Sequence, residues 1–345
     1  MKPFKSAILL SLWCGFYSPA LVAEEDVSTK DPSQDQDVKP PKALATEEER
    51  YSFDGQTYIY RKPSVLDLFH KVPQDLYSYY DESFRWENWP WMAGIGASTA
   101  ALIYFDQDIL DESKRVGARY HISSEDKTTE FFNAFGVFPI RFPTDTGSAF
   151  YFIGDGWTHA TIALSFYAGG YLTGNIRAIQ TGMQIVEGIV SAGIVVQTLK
   201  HITGRESPVY ATSDGGIWRF FPDQIDYHKH VSSYDAYPSG HMATAMVTMT
   251  VIAENYPEYF WIKPVGYTLM GLLGFQMMNN GVHWASDYPL AFALGYGFGH
   301  IAVREGRTLV QSEAEAKRPP TLWESIKIGP YIGIKESGLR ATYKF

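Results

Sequence analysis

The chain has 345 residues, a hydrophobic content of 45% and a formal net charge of −9. The apolar content is sufficient for a large core, and the acidic balance argues against nucleic acid as a partner, because nucleic-acid binding needs a basic surface. The single cysteine, Cys14, lies in the first apolar segment, so a mature chain without that segment has no thiol for a disulfide or a metal site.

Residues 1–23 have the features of a signal peptide. Lys2 and Lys5 precede an apolar run, and a stretch of small and aliphatic residues ends at Ala23, before acidic residues. This pattern predicts an exported protein, located in the periplasm or cell envelope.

The next two segments differ in character. Residues 24–50 are polar and acidic with few large apolar side chains, which predicts a disordered linker. Residues 51–88 are expected to contain an N-terminal strand over Tyr51–Arg61 and then an amphipathic segment.

Six apolar runs follow within a domain that we place at residues 89–305. Their length and their content of Ala, Leu, Met and Gly favour packed helices over strands. The runs cover 89–105, 156–173, 178–199, 241–254, 259–276 and 288–303. Extra short helices are expected in the connection 106–155, since structureless loops of that length are uncommon. The fold class predicted is all-α, an antiparallel helical bundle of about six core helices.

Residues 306–345 change character again and predict a linker followed by a small C-terminal β-hairpin. Two alternating segments flank Glu336-Ser337-Gly338, which suits a turn. A hairpin alone is marginally stable in water, so we expect this one to pair with the strand Tyr51–Arg61.

Three polar clusters stand at the ends of the apolar runs. They are Lys200–Pro208, Pro238–His241 and His283–Asp287. In an antiparallel bundle these positions fall at one end, where they would converge on a single point. Together they offer cations, a helix N-terminus and two imidazoles, which suit a tetrahedral phosphate.

The order Lys…Gly-Arg-x-x-Pro, Pro-Ser-Gly-His and His-x-x-x-Asp resembles the type-2 phosphatidic acid phosphatase / vanadium-dependent haloperoxidase superfamily, over roughly residues 85–305. The resemblance implies that His283 attacks phosphorus, that Asp287 orients it, and that His241 is the general acid. The residues that it implies for phosphate binding are Lys200, Arg205, Ser239 and Gly240. It implies no metal and no other cofactor.

Two positions depart from the family pattern. Ser207 and Met277 stand where the family has arginines, and losing one such donor typically costs about 10²–10³ in rate. Arg219 and Lys229, from the loop before Pro238, are the accessory cations that we expect to compensate. His228 and His230 alone are too weak a pattern for a zinc site.

The function that the resemblance implies is a metal-independent, acid-phosphatase-type hydrolase. It would cleave phosphate monoesters or lipid-linked (pyro)phosphates through a phosphohistidine. Two alternatives stay open: a vanadate-dependent haloperoxidase, or a catalytically weak or inactive phosphate- or lipid-binding envelope protein. The expected partners are a phosphorylated small molecule or lipid and a membrane surface. A mean hydropathy of −0.17 favours a soluble exported bundle, with an integral membrane protein as the alternative.

Overall fold

The structure is a computed structural model that describes residues 48–53, 55–134, 138–310, 326–332 and 337–343. The predicted signal peptide and residues 24–47 of the predicted linker lie outside the described residues. The last three residues of that linker, Glu48 to Arg50, already belong to a strand.

Helices dominate the described residues, and the mostly-α class predicted from the apolar runs is confirmed. The helices are α1 (Leu68–Ser83), α2 (Trp89–Arg119), α3 (Thr146–Phe152), α4 (Gly156–Thr173), α5 (Ile176–Thr203), α6 (Gln224–Lys229), α7 (Gly240–Asn255), α8 (Ile262–Asn279) and α9 (Tyr288–Gly306). The six apolar runs correspond to α2, α4, α5, α7, α8 and α9.

The connection between the first two runs differs from the expectation. Helix α2 continues through Asp106 to Arg119 instead of ending near residue 105, because the Asp106 carboxylate is buried against Arg205 rather than exposed. Beyond α2, an antiparallel hairpin of β3 (Thr128–Ala134) and β4 (Phe138–Pro143) precedes the single short helix α3.

The predicted pairing of the strands is wrong. The segment Tyr51–Arg61 contains a turn at Gly55, whose φ of +72° suits glycine, and it therefore forms most of a hairpin of β1 (Glu48–Phe53) and β2 (Gln56–Arg61). The free edge of β2 pairs with β5 (Arg307–Val310), directly after α9. The predicted C-terminal hairpin is present as β6 (Ile326–Ile332) and β7 (Ser337–Tyr343), which pair with each other in a separate two-stranded sheet.

The core is centred on α7, which packs against α5, α8 and α9. Most residues of α7 are buried, among them Met242, Val247 and Val251. Helix α9 approaches closely at Gly295, where an added Cβ would lie 2.4 Å from the Ala243 carbonyl oxygen. This tight packing fixes the position of the first turn of α7 relative to the other helices.

The three sequence motifs lie close together at one end of the bundle. The C-terminus of α5, the N-terminus of α7 and the turn between α8 and α9 are joined by hydrogen bonds, including Thr203 to the Tyr237 carbonyl (3.1 Å) and the Ser239 N–H to the Asp287 carbonyl (3.1 Å). By length and composition, one helix of the described residues, α5, could cross a membrane, and 67% of its most apolar window is buried inside the protein.

Candidate active site

His283 lies in the turn between α8 and α9 and is almost fully buried. Gly281, with a φ of +70°, allows the chain to turn back at the end of α8. The Nδ1 atom of His283 lies 2.8 Å from the Ala236 carbonyl oxygen and 3.3 Å from Asp287 Oδ2. Because a carbonyl oxygen can only accept, Nδ1 carries a proton, and in the neutral ring Nε2 is then the nitrogen with the free lone pair.

Asp287 is held by several donors at once. Its Oδ2 accepts the Trp284 N–H at 2.8 Å as well as facing His283, and its Oδ1 lies 2.6 Å from Arg205 Nη1. The carboxylate is fully buried. The sequence placed Asp287 beside His283, and the structure brings the two together, with the Ala236 carbonyl making the shorter contact.

Arg205 is bound to two buried carboxylates. Its two terminal nitrogens bind Asp287, Asp106 and Ser286, each at 2.6 Å, and the Gly215 carbonyl at 2.9 Å. The guanidinium is fully buried. With both terminal nitrogens bound to protein oxygens, Arg205 holds Asp287 in place, and the phosphate contact that the sequence predicted for Arg205 stays a prediction.

The N-terminus of α7 forms the opposite wall of the site. Ser239 caps the helix by accepting the Met242 N–H at 3.3 Å. An added Cβ on Gly240 would meet no atom closer than 3.7 Å, and Lys200 Nζ would lie 3.9 Å away. The first turn of α7 therefore lies beside the Lys200 ammonium, and the free N–H groups of the helix and this charge both favour an anion there.

Lys200 is itself nearly buried, and its ammonium lies 3.4 Å from Asp235 Oδ2. Asp235 directly precedes Ala236, whose carbonyl binds His283. This carboxylate offsets part of the positive charge of Lys200. An anion in the site thus depends on the helix N-terminus and the imidazoles as well as on Lys200.

His241, in the first turn of α7, completes the cluster. Its ring centroid lies 6.1 Å from that of His283, with the planes at 71°, and 5.0 Å from that of Tyr151. Burial lowers the pKa of His241 to about 3, and the electrostatic effects of the neighbouring His283, Lys200 and His159 act in the same direction. The sequence predicted an imidazole titrating near neutrality, whereas this surrounding keeps it neutral until an anion arrives.

The two departures from the family pattern have visible consequences. Met277 is fully buried, and its sulfur lies 3.7 Å from the Ser239 hydroxyl, at the base of the α7 N-terminus. Its main-chain carbonyl accepts the N–H groups of Val282 and His283. Ser207 is buried, and its N–H donates to the Ser232 carbonyl. Neither position supplies a charge.

The two expected accessory cations lie elsewhere. Arg219 forms an ion pair with Glu206 and lies over the ring of Tyr234, which stabilises the loop that follows Arg205. Lys229 is exposed at the end of α6. Neither is among the groups that surround the two imidazoles.

Sequence reasoning missed four groups of the site: the Ala236 carbonyl, Asp106, Asp235 and Tyr151. The Ala236 acceptor is a main-chain carbonyl, so the residue type does not reveal it. Tyr151 is one of 23 tyrosines, and nothing in the sequence distinguishes it from the others. Asp106 did have a signal, because it is an acidic residue next to an apolar run. Within the described residues, no group of three or more His, Cys, Asp or Glu side chains is arranged to hold a metal ion.

Comparisons with known proteins agree with the motifs. Residues 181–309 match the PAP2 superfamily, which confirms the resemblance over that stretch. A segment of 121 residues, 35% of this chain, is 30% identical to a lipid A 1-phosphatase of Porphyromonas gingivalis and spans 21% of that relative's length. The crystal structure of Aquifex aeolicus LpxE aligns at 16% identity and a TM-score of 0.34, over 46% of this chain and 83% of that one.

Proposed function

We propose that the chain hydrolyses phosphate monoesters or lipid-linked (pyro)phosphates through a phosphohistidine on His283, since residues 181–309 match the PAP2 superfamily. One observation supports this most strongly: the contact of 2.8 Å between Nδ1 and the Ala236 carbonyl. That contact holds the imidazole in the tautomer whose Nε2 is a nucleophile.

In the first step, the Nε2 lone pair forms a bond to phosphorus while the bond from phosphorus to the leaving oxygen breaks. His241 gives its proton to that oxygen, and Asp287 stabilises the positive charge on His283. The N–H groups at the start of α7 and the Lys200 ammonium bind the non-bridging oxygens, where negative charge spreads in the transition state.

In the second step, water attacks the phosphohistidine. His241, now neutral, takes a proton from the water as the N–P bond breaks, and inorganic phosphate leaves. The residues that carry both steps are His283, His241 and Asp287, and no step requires a metal ion.

Phosphate release in the presence of a chelator is therefore expected to equal release without it, and a loss of activity on chelation would contradict this part of the proposal.

A phosphorylated lipid is the proposed substrate class. The Porphyromonas gingivalis relative is a lipid A 1-phosphatase, and we propose for this chain only the broader class of phosphorylated lipids. A phosphate-release screen over phosphatidate, phosphatidylglycerophosphate, undecaprenyl pyrophosphate, lipid A and small monoesters tests the proposal. The export and envelope location predicted from residues 1–23 would place the site near such lipids.

The low pKa of His241 gives an expected pH dependence. With a free-enzyme pKa of about 3, the protonated acid becomes scarcer as pH rises. Above about pH 7 the phosphate is already a dianion, so kcat/KM falls about tenfold per pH unit between pH 7 and 9.

The control for this profile is His241→Gln, which has no titrating acid. Its kcat/KM is lower and nearly independent of pH over the same range. The same slope in wild type and in His241→Gln would contradict the role of His241.

Gly240→Ala tests phosphate binding at the start of α7. The added methyl fits, since its nearest neighbours lie 3.7 and 3.9 Å away, but it lies beside the first turn of α7 and the Lys200 ammonium, where the phosphate is proposed to bind. Turnover is expected to fall about 10²-fold, as when one oxyanion contact is lost, with little change in melting temperature. Gly193→Ala, whose added Cβ meets nothing within 4 Å, is the matched control, and equal turnover in the two variants would contradict the assignment.

A second candidate function has one observation in its favour. Arg205 is engaged by Asp106 and Asp287, and Met277 brings an apolar side chain to the base of the α7 N-terminus. The site therefore has few fixed cations, which suits an envelope protein that binds phosphate or lipid with little turnover. Binding of phosphorylated lipid without phosphate release in the same screen would favour this candidate.

A further inference from the structure

A cavity lies between helices of the bundle, beside the candidate active site. It has a volume of about 560 Å³, is open on one side, and is lined by α4, α7, α8 and the segment between α7 and α8. This volume lies in the usual range of ligand pockets, about 300–1,000 Å³. Representative lining residues are Ile162, Phe166, Ala245, Met249, Leu269 and Met270.

The cavity begins one helical turn from the catalytic imidazole. Ala245 follows His241 by four residues, so both lie on the same face of α7. Ala245, Thr248, Met249 and Ile252 line the cavity in sequence along that face, and Tyr256 continues it. From Ala245 to Tyr256 the helical rise amounts to roughly 16 Å.

Helix α4 provides the second connection to the site. His159 lines the cavity and is close enough to His241 to affect its pKa. Gly154 lies two residues before this helix and close to His241. A Cβ added to Gly154 would be 2.9 Å from the Cβ of His241. The cavity therefore lies next to His241: Ile153, Thr158 and His159 of its lining stand around the start of α4, and Ala245 stands one turn along α7.

The chemistry of the lining selects an apolar occupant. No residue that lines the cavity carries a charge at neutral pH, since burial lowers the pKa of His159 to about 4. The Thr158 hydroxyl already donates to the Phe152 carbonyl at 2.6 Å. A charged occupant would lose hydration here without gaining an opposite charge, whereas a hydrocarbon would gain by burial against the many aliphatic and aromatic side chains of the lining.

The other end of the cavity opens at aromatic side chains. Tyr259 and Trp261 line it and are 50% and 52% exposed, and Phe260 between them is 85% exposed. Tyrosine and tryptophan suit a boundary between apolar and aqueous surroundings. A flexible chain can enter the cavity past this rim.

We propose that this cavity binds the hydrocarbon chain of a lipid phosphate whose phosphate group lies between His241, His283 and the N-terminus of α7. The inference rests on the proposed function for the position of the phosphate. It adds a specificity site: a single long alkyl or isoprenoid chain runs along α7 from Ala245 towards Tyr256 and the aromatic rim.

Cavity-filling variants test this site. Ile252→Trp fills the middle of the cavity, and Leu269→Trp narrows it from a position that is 41% exposed. Ile194→Trp, on the exposed face of α5, is the matched control. We expect kcat/KM for hexadecyl phosphate to fall about 10²-fold in both cavity variants, the scale of a pocket that loses part of its fit, and to be unchanged in the control.

Ethyl phosphate, which has no long chain, provides the second arm. Its hydrolysis is expected to be the same in wild type, Ile252→Trp, Leu269→Trp and Ile194→Trp. An equal loss for ethyl and hexadecyl phosphate in both cavity variants, or a wild type without preference for the longer chain, would overturn the inference.

A binding measurement separates this inference from the proposed function. Displacement of a polarity-sensitive alkyl probe by hexadecyl phosphate does not require turnover. If hexadecyl phosphate displaces the probe from wild type but not from Ile252→Trp and Leu269→Trp, the result supports binding of the alkyl chain in the cavity. This holds even if no phosphate is released. The absence of phosphate release would count only against the proposed function. Absence of probe binding in wild type would overturn the inference whatever the activity.

Discussion

Replacement of His283 by asparagine is expected to lower phosphate release by about 10⁴-fold or more, the scale seen when a nucleophile is removed from a catalytic unit. Asparagine keeps a donor in place of Nδ1, so the Ala236 carbonyl retains a partner and the turn before α9 stays intact. What the variant lacks is Nε2, the atom that attacks phosphorus in the proposed reaction. Initial rates of phosphate release on the best substrate of the screen provide the measurement.

The control for this variant is His70→Ala, because His70 is an exposed histidine on α1, far along the chain from the three motifs. Its turnover is expected to equal that of wild type. A His283→Asn protein that still folds and keeps wild-type turnover would show that the nucleophile is a different group.

Replacement of Arg205 by methionine is expected to lower the free energy of unfolding by about 3–5 kcal/mol, the usual cost of removing one partner from a buried ion pair. Arg205 lies between the buried carboxylates of Asp106 and Asp287, at 2.6 Å from each. Methionine fills part of the space but leaves both carboxylates without their cation. Urea denaturation measures the change.

The matched control is Arg115→Met, since Arg115 is an exposed arginine paired with Glu112, and exposed pairs contribute only about 0–1 kcal/mol. The double variant Arg205→Met with Asp106→Asn is expected to regain part of the lost stability. An Arg205→Met protein of unchanged stability but weakened phosphate binding would instead favour the phosphate contact predicted from the sequence.

Arg205 also shows where sequence reasoning reaches its limit. The Gly-Arg-x-x-Pro pattern placed the residue correctly at the end of α5. Whether the guanidinium points towards the phosphate depends on Asp106, which lies 99 positions earlier in the chain. The Gly-Arg-x-x-Pro pattern contains no information about a contact between residues so far apart in the sequence.

The helices were more predictable than the strands. The runs over α4, α7 and α9 match the observed ends within a few residues, because continuous apolar length is a local property. The Asp54-Gly55 pair was a hairpin signal within a segment interpreted as one strand. That β2 pairs with β5 depends on where α9 ends, which is a property of the packed bundle.

The convergence of the three motifs followed from helix ends alone, and His241, His283 and Lys200 do meet at one end of the bundle. The charge balance there could not be predicted in the same way. Asp235 beside Lys200 and the burial of His241 arise from the folded loop between α6 and α7. These two features, together with Met277, determine how strongly the site attracts an anion.

Trapping of the phosphorylated enzyme tests the central claim most directly. Incubation of wild type, His241→Ala and His283→Asn with ³²P-labelled substrate is followed by rapid quenching and mapping of the label. The account predicts an acid-labile phosphohistidine on His283 in wild type and His241→Ala, and no label in His283→Asn. Turnover without label on His283, or label that persists in His283→Asn, would contradict it.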